Sequence, residues 1–181
     1  MEYAPGDVKY FSSFFKGGIA SIMIQKTSAV FFDFDGVLVD STETKTNAYK
    51  DLFDQSHPAI VSDIIDHHRQ HGGISRVEKI KYAFRHLIDE PYSEELVDEY
   101  ARRYSELVFE SVVRARWVPG AESFVHTYHQ TLPLFIISGT PEEELREVVE
   151  RRNMSPYFRE LLGSPIKQPV HIRSLLKRYD L

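Results

Sequence analysis

Val30-Phe31-Phe32-Asp33-Phe34-Asp35-Gly36-Val37-Leu38-Val39-Asp40 is an apolar run that ends in two aspartates one residue apart, followed at once by a glycine turn. The run predicts a strand over 29–34, buried on both faces of a parallel sheet. Side chains alternate along a strand, so Asp33 and Asp35 are expected to share one side and emerge together at its carboxyl end. That edge is where open α/β sheets bind ligands. Two carboxylates concentrated there repel each other unless a cation sits between them, and hard oxygen ligands select Mg²⁺.

Working outward, residues 21–24 read as a further short strand. From Ser41 the pattern turns helical, with Asp40 and Ser41 as candidate caps. Residues 41–116 hold helices and no convincing strand. Pro58 opens one helix, and Ser75-x-x-Glu78 is a capping box ahead of Val77, Ile80, Phe84 and Leu87 at helical spacing. Ser93-Glu94-Glu95 starts a longer helix whose Leu96, Tyr100, Tyr104, Leu107 and Val112 form one face. These faces need one another, so a small bundle is expected.

Alternation of helix and strand resumes after Trp117-Val118-Pro119-Gly120, with a helix over 121–130 and an apolar strand at Leu134-Phe135-Ile136-Ile137. Thr140-Pro141-Glu142-Glu143 supplies a cap, a first-position proline and a capping-box glutamate for the next helix. A short strand follows at 160–162, and Pro169 opens a last helix. The pattern predicts an α/β fold, a doubly wound parallel sheet with an all-helical insertion. The expected organisation is an N-terminal extension at 1–20, an α/β core at 21–40 and 117–181, and a helical cap at 41–116.

The 181 residues suit one α/β core with an insertion, or two small domains. Absence of cysteine excludes disulfides, thiolate metal sites and cysteine nucleophiles. A net charge of −5 with no basic stretch argues against a nucleic-acid partner. No apolar run reaches the ~20 residues of a membrane span and no signal-peptide pattern is present, so no membrane partner and a cytoplasmic location are expected. The aromatic stretch Tyr10-Phe11-Ser12-Ser13-Phe14-Phe15, ahead of Gly17-Gly18, carries no chemistry. It reads as an extension packed on the core, a partner contact or a loose leader. Oligomeric state is left open.

Other positions carry chemistry in their spacing. Ser138-Gly139-Thr140 follows an apolar strand at a helix start, where a hydroxyl and free amides make an anion site. In Gly72-Gly73-Ile74-Ser75-Arg76-Val77-Glu78-Lys79, two glycines allow a tight approach, and Arg76 and Lys79 lie three apart at a helix start. Those two charges read equally as substrate contacts or as a solvated surface. His67, His68 and His71 lack a supporting acidic motif and read as surface or packing histidines. Glu142-Glu143-Glu144 suits a helix start, and Arg151-Arg152 a helix end.

Asp33-Phe34-Asp35-Gly36, with Ser138 and then Lys167 in Gly163-Ser164-Pro165-Ile166-Lys167-Gln168-Pro169, resembles three successive motifs of the haloacid dehalogenase-like hydrolases. The likeness is to their phosphatase and phosphomutase branch, because members with dehalogenase activity lack the second aspartate. The resemblance implies that Asp33 is a nucleophile forming an aspartyl-phosphate. Asp35 would protonate the leaving oxygen and then activate water. Ser138, with Gly139 and Thr140, would hold the phosphoryl group, and Lys167 would neutralise its charge. It also implies that Asp33 and the Asp35 main-chain carbonyl bind Mg²⁺, and that the helical insertion is a cap whose Arg76 and Lys79 touch substrate. An ionised carboxylate is a competent nucleophile toward phosphorus once Mg²⁺ screens the negative charges.

The expected function is a Mg²⁺-dependent phosphomonoester hydrolase whose partner is a small phosphorylated metabolite. Two alternatives are a β-phosphoglucomutase-like phosphomutase and a non-catalytic domain that binds a phosphorylated ligand or a protein. A fourth motif, an aspartate-rich loop after a further strand, completes the Mg²⁺ site in this family, and no Gly-Asp-x-x-x-Asp pattern occurs toward residue 181. A piece of a longer protein is the favoured expectation. The other is a naturally short form with weaker Mg²⁺ affinity.

Overall fold

Val30–Phe32 forms β1 in the computed structural model, which describes residues 27–181. The expected extension at 1–20 and the expected strand at 21–24 lie outside the described residues. β1 pairs in parallel with β2, Leu134–Pro141, which pairs in parallel with β3, Glu160–Ser164. Phe32 lies opposite Ile136, and Ile136 opposite Leu161.

Seven α-helices occur among the described residues: α1 (Thr42–Phe53), α2 (Val61–Gln70), α3 (Arg76–Tyr82), α4 (Glu94–Arg114), α5 (Ala121–Tyr128), α6 (Glu142–Arg151) and α7 (Gln168–Tyr179). Pro58–Ile60 and Ser155–Tyr157 are short 3₁₀ turns, and Ala83–Ile88 extends α3 as a π-helix. No helix among the described residues is long and apolar enough to cross a membrane.

Alternating side chains give the sheet two apolar faces. Val30, Phe32, Leu134 and Ile136 are buried in one core with Phe124 of α5 and Leu145 and Val148 of α6. On the opposite face Phe31 stacks on Phe135 at 5.2 Å. There Phe135 and Ile137 pack with Ile172 and Leu175 of α7. Both faces are therefore covered, as the near-continuous apolar runs require. The fold is α/β, a parallel sheet between helical layers with an all-helical insertion between β1 and α5.

β1 ends two residues earlier than its apolar pattern suggests, because the chain turns. The Phe34 amide bonds to Asp33 Oδ1 at 2.7 Å, and the Phe34 carbonyl accepts from the amides of Leu38 and Val39 at 3.0 and 3.1 Å. Gly36 takes φ 73°, and a Cβ there would lie 2.6 Å from Thr42 Oγ1. Only glycine suits that position.

Helices α1 to α4 share one core, with Val97, Tyr100, Tyr104, Val108 and Val112 of α4 facing inward. The buried stripe differs from the expected one by one residue at two places, Val97 in place of Leu96 and Val108 in place of Leu107, and Leu107 is 44% exposed. Ser75 caps as its box predicts and Ser93 caps the helix expected to start there, accepting from the amides of Glu78 and Leu96 at 3.3 and 3.2 Å. Ser41 and Thr140 do not cap: α1 and α6 begin with no side-chain cap bond. Arg152 serves a helix other than its own, donating to the carbonyls of Val112, Val113 and Ala115 at 3.0, 2.7 and 2.7 Å. It thereby satisfies the orphan carbonyls at the end of α4.

Candidate active site

The turn after β1 brings Asp33 and Asp35 to the wall of one cavity of about 140 Å³ at the carboxyl edge of the sheet. Ser138, Gly139 and Thr140 at the end of β2 form a second wall, and Lys45, Lys79 and Tyr104 from the helical segment roof it.

Asp35 is held on all sides. Ser41 Oγ donates to its Oδ1 at 2.7 Å. Lys45 Nζ donates to its Oδ2 at 2.5 Å and Thr140 Oγ1 to the same oxygen at 3.1 Å. Lys45 also donates to Thr140 Oγ1 at 2.9 Å. The two hydroxyls that read as helix caps therefore serve this carboxylate instead. Burial pushes the Asp35 carboxyl up, but the Lys45 ammonium and the hydrogen bonds outweigh it and hold the group below the usual carboxylate range.

Asp33 differs. Burial, and then the neighbouring Asp35 charge, push its pKa up to about 6, against the pull of the Phe34 amide, Lys45 and Gln168. It is the carboxylate in need of a counter-charge.

Lys79 is buried, and its Nζ lies 2.8 Å from His68 Nδ1. Burial and then the Lys45 charge push the Lys79 ammonium down to about 8. Burial and the Lys79 charge push His68 down to about 4, so a neutral ring accepts from the ammonium. His68 is thus a packing histidine, tilted against Tyr49 at 4.8 Å, while His67 stacks on Tyr82 at 3.7 Å and on His71 at 4.2 Å.

The helical segment sits directly on the Ser138-Gly139-Thr140 loop. A Cβ on Gly139 would lie 3.0 Å from the Gly73 carbonyl oxygen and 3.3 Å from that of Ile74. Of the two loop glycines, Gly73 makes the close approach and Gly72 has nothing within 4 Å. Ser138 is buried, its Oγ accepting from the Thr140 amide at 3.1 Å.

Two expected site residues are engaged elsewhere. Arg76 borders the cavity, but its guanidinium forms a two-pronged pair with Glu144 of α6 at 2.8 and 2.6 Å. Its charge is paired with the core. Lys167 lies outside the cavity wall, 72% exposed, with Nζ 3.3 Å from Glu78 Oε1. The structure brings Asp33, Asp35, Ser138, Gly139, Thr140 and Lys79 together and does not bring Lys167 to them.

Lys45, Ser41 and Gln168 are partners of the two aspartates that motif reading missed. A signal for Lys45 existed: Ser41, Lys45, Tyr49 and Leu52 recur at helical spacing, so the lysine falls on the buried face of α1. A charge placed there needs a buried partner.

The donor chemistry fits a hard divalent cation in part. The Asp33 carboxylate lacks a counter-charge, and Asp33 with the Asp35 main-chain carbonyl offers two oxygen donors of the kind Mg²⁺ takes. The Asp35 carboxylate is excluded from that set because both its oxygens are already bonded. Among the described residues no group of three or more His, Asp or Glu is arranged to hold a metal.

The fold and site together define an α/β protein whose parallel sheet carries an Asp-x-Asp loop at its carboxyl edge. The family model described as haloacid dehalogenase-like hydrolase matches residues 30–176, and the chain belongs to that family. Similar solved structures include the β-phosphoglucomutase of Clostridium difficile, at TM-score 0.67 and 18% identity over 85% of this chain and 71% of that one. A predicted phosphoglycolate phosphatase of Haemophilus somnus is similar at TM-score 0.61 and 15% identity over 85% of this chain and 72% of that one. The HAD-hydrolase YfnB of Bacillus subtilis, in a magnesium-bound form, is similar at TM-score 0.53 and 17% identity over 75% and 64% of the respective chains. At these identities the likeness is one of fold. None of the curated proteins compared with the chain matches it.

Proposed function

We propose that the protein hydrolyses small phosphomonoesters through an aspartyl-phosphate on Asp33, with Mg²⁺ as cofactor. The observation that carries this reading is the contrast between two neighbouring carboxylates. Asp35 takes three side-chain hydrogen bonds, one of them from an ammonium, while Asp33 takes only the Phe34 amide and the Gln168 side chain and faces the same cavity as Ser138 and Lys79. A nucleophile must keep a lone pair free, and Asp33 is the more open of the two carboxylates.

An Asp33 oxygen attacks phosphorus, and the bond from phosphorus to the ester oxygen breaks. The leaving oxygen takes a proton that the Lys45 ammonium, 2.5 Å from Asp35 Oδ2, passes through that carboxylate, leaving Lys45 neutral. In the second half water attacks phosphorus and breaks its bond to Asp33, releasing inorganic phosphate, while Asp35 Oδ2 takes the water's proton and returns it to Lys45. Ser138 and the Gly139 amide bind the phosphoryl oxygens, and the Lys79 ammonium answers their charge from the cap side. Asp33 and the Asp35 main-chain oxygen would hold Mg²⁺, whose charge screens the phosphoryl oxygens. Motif order assigns Lys167 to the same charge-neutralising work. With the helical segment seated on Gly139, a cavity of about 140 Å³ favours a compact substrate and keeps bulk water out.

Release of inorganic phosphate from a panel of small phosphomonoesters, with Mg²⁺ and with EDTA, tests the reading. Mg²⁺-dependent release that Asp33→Asn abolishes supports it. Isomerisation of a sugar phosphate without release would instead identify a phosphomutase. Phosphate-ester binding without turnover, unchanged in Asp33→Asn, would make the protein a binding module.

A further inference from the structure

The Arg76–Glu144 pair has no part in the chemistry above, yet it is the most completely buried ion pair among the described residues. The Arg76 side chain is 4% exposed and that of Glu144 is 13% exposed. Arg76 leaves α3, at the start of the segment after the Gly73 loop. Glu144 lies in the first turn of α6, directly after the Ser138-Gly139-Thr140 loop. The pair thus spans the helical segment and the α/β core across 68 residues of sequence. Ser105 of α4 joins it, donating to Glu144 Oε2 at 2.8 Å and meeting the Arg76 guanidinium. The Tyr104 ring lies under that guanidinium at 4.9 Å.

One turn beyond Arg76, on the same short helix, Lys79 reaches the cavity. A helix of seven residues behaves as a rigid lever, so whatever fixes Arg76 fixes Lys79. Three contacts hold the amino end of α3 against the core: the Gly73 carbonyl on Gly139, the buried pair of Arg76 with Glu144, and the exposed pair of Glu78 with Lys167. The first is a packing contact that any small separation removes. The second is a two-pronged charge pair, and separating it leaves buried charges on both sides unpaired.

We propose that Glu144, with Ser105, is a latch for Arg76 that seats the helical segment on the core and positions Lys79 over Asp33. Glu144 is accordingly a positioning residue, acting at a distance from the reacting atoms. The inference rests on the phosphatase reading only in the role it gives Lys79.

The chain has no cysteine, so two introduced ones can carry spin labels without interference. Asp66→Cys on α2 and Lys177→Cys on α7 are exposed positions on the two bodies. In the otherwise unaltered full chain, the distance distribution between the labels should be narrow. Glu144→Gln, which keeps the side-chain volume, should add a longer-distance population. KM for acetyl phosphate, a small generic phosphoryl donor, should rise about tenfold at similar kcat, because only the closed fraction binds well. In a Lys79→Met background the same Glu144→Gln change should alter KM less than twofold, since the latch acts through Lys79. If Glu144→Gln fails to fold, Ser105→Ala removes one hydroxyl from the network and should give the same changes in smaller measure.

Label distances unchanged in a folded variant would overturn the latch. A longer-distance population with fully additive kinetics would overturn the positioning of Lys79. No turnover of acetyl phosphate by the parent chain with Mg²⁺ would count against the phosphatase reading, while the label distances still decide the latch.

Discussion

The Lys45 ammonium and the Asp35 carboxylate meet at 2.5 Å inside the cavity, joining the helix after the Asp-x-Asp turn to the turn itself. Their side chains are 11% and 19% exposed, so the pair is shielded from solvent and from salt. Removing one partner strands the other. Lys45→Met is expected to cost about 3 kcal/mol of stability and to abolish phosphate release. Lys45→Met combined with Asp35→Asn should recover most of the stability and none of the activity. Chemical denaturation alongside a phosphate assay checks both halves.

Asp33 carries an energetic cost that its role explains. Its pKa in the folded chain is about 6, against an ordinary value of 3.8, so the folded state binds this proton more tightly than the unfolded one. The stabilisation that protonation gives is present in full below pH 3.8 and is lost as pH rises through 6. In metal-free buffer Asp33→Asn should therefore be the more stable protein at pH 7.5, by up to about 3 kcal/mol. The gap should shrink as pH falls through 6 toward 4. Urea midpoints of the two proteins across that range measure it. A parent chain as stable as the variant throughout would mean that another group already neutralises Asp33.

Lys79 gives a second pH signature, at the alkaline end. Its folded pKa is lowered to about 8 by burial and then by Lys45, so the ammonium discharges above that pH. Affinity for phosphoryl ligands should fall as pH rises through 8, and KM should climb accordingly. In Lys79→Met, KM should be raised at all pH values and lack that alkaline rise. Initial-rate measurements between pH 6.5 and 9.5 separate the two profiles.

The glycines provide a steric test. Gly139→Ala places a methyl 3.0 Å from the Gly73 carbonyl oxygen, so the Gly73 loop must give by a few tenths of an ångström. A loss on the order of tenfold in kcat/KM with a native circular-dichroism spectrum is expected. Gly72→Ala, with nothing within 4 Å of the new methyl, is the matched control and should behave as the parent chain.

Lys45 and Lys167 can be ranked directly. Lys167 forms an exposed pair with Glu78, of a kind worth about 0.5 kcal/mol. If the arrangement seen here is the working one, Lys167→Ala should lower kcat/KM far less than Lys45→Met. A larger loss in Lys167→Ala would mean that the lysine leaves Glu78 for the phosphoryl group during turnover. Steady-state kinetics of the two variants under one condition decides between these outcomes.

The residues alone determined the class of fold and the positions of Asp33, Asp35 and Ser138-Gly139-Thr140. These are local properties. A doubly buried strand has to be a continuous apolar run, and a turn into positive φ needs a glycine, so both are written in consecutive residues. Helix existence in 41–116 was legible for the same reason, from spacing and caps. What the tertiary structure decided is which polar groups meet. Ser41 and Thr140 read as helix caps because cap chemistry and site chemistry use the same hydroxyls. Only the fold turns both toward Asp35, across a sequence gap of 105 residues in the case of Thr140. Arg76 and Lys79 read as an equivalent pair at a helix start. Yet one is bound to Glu144 and the other faces the cavity, a difference set by how α3 lies on α6. Long-range pairing depends on the packing of whole elements, and no local pattern encodes the partner of a charge.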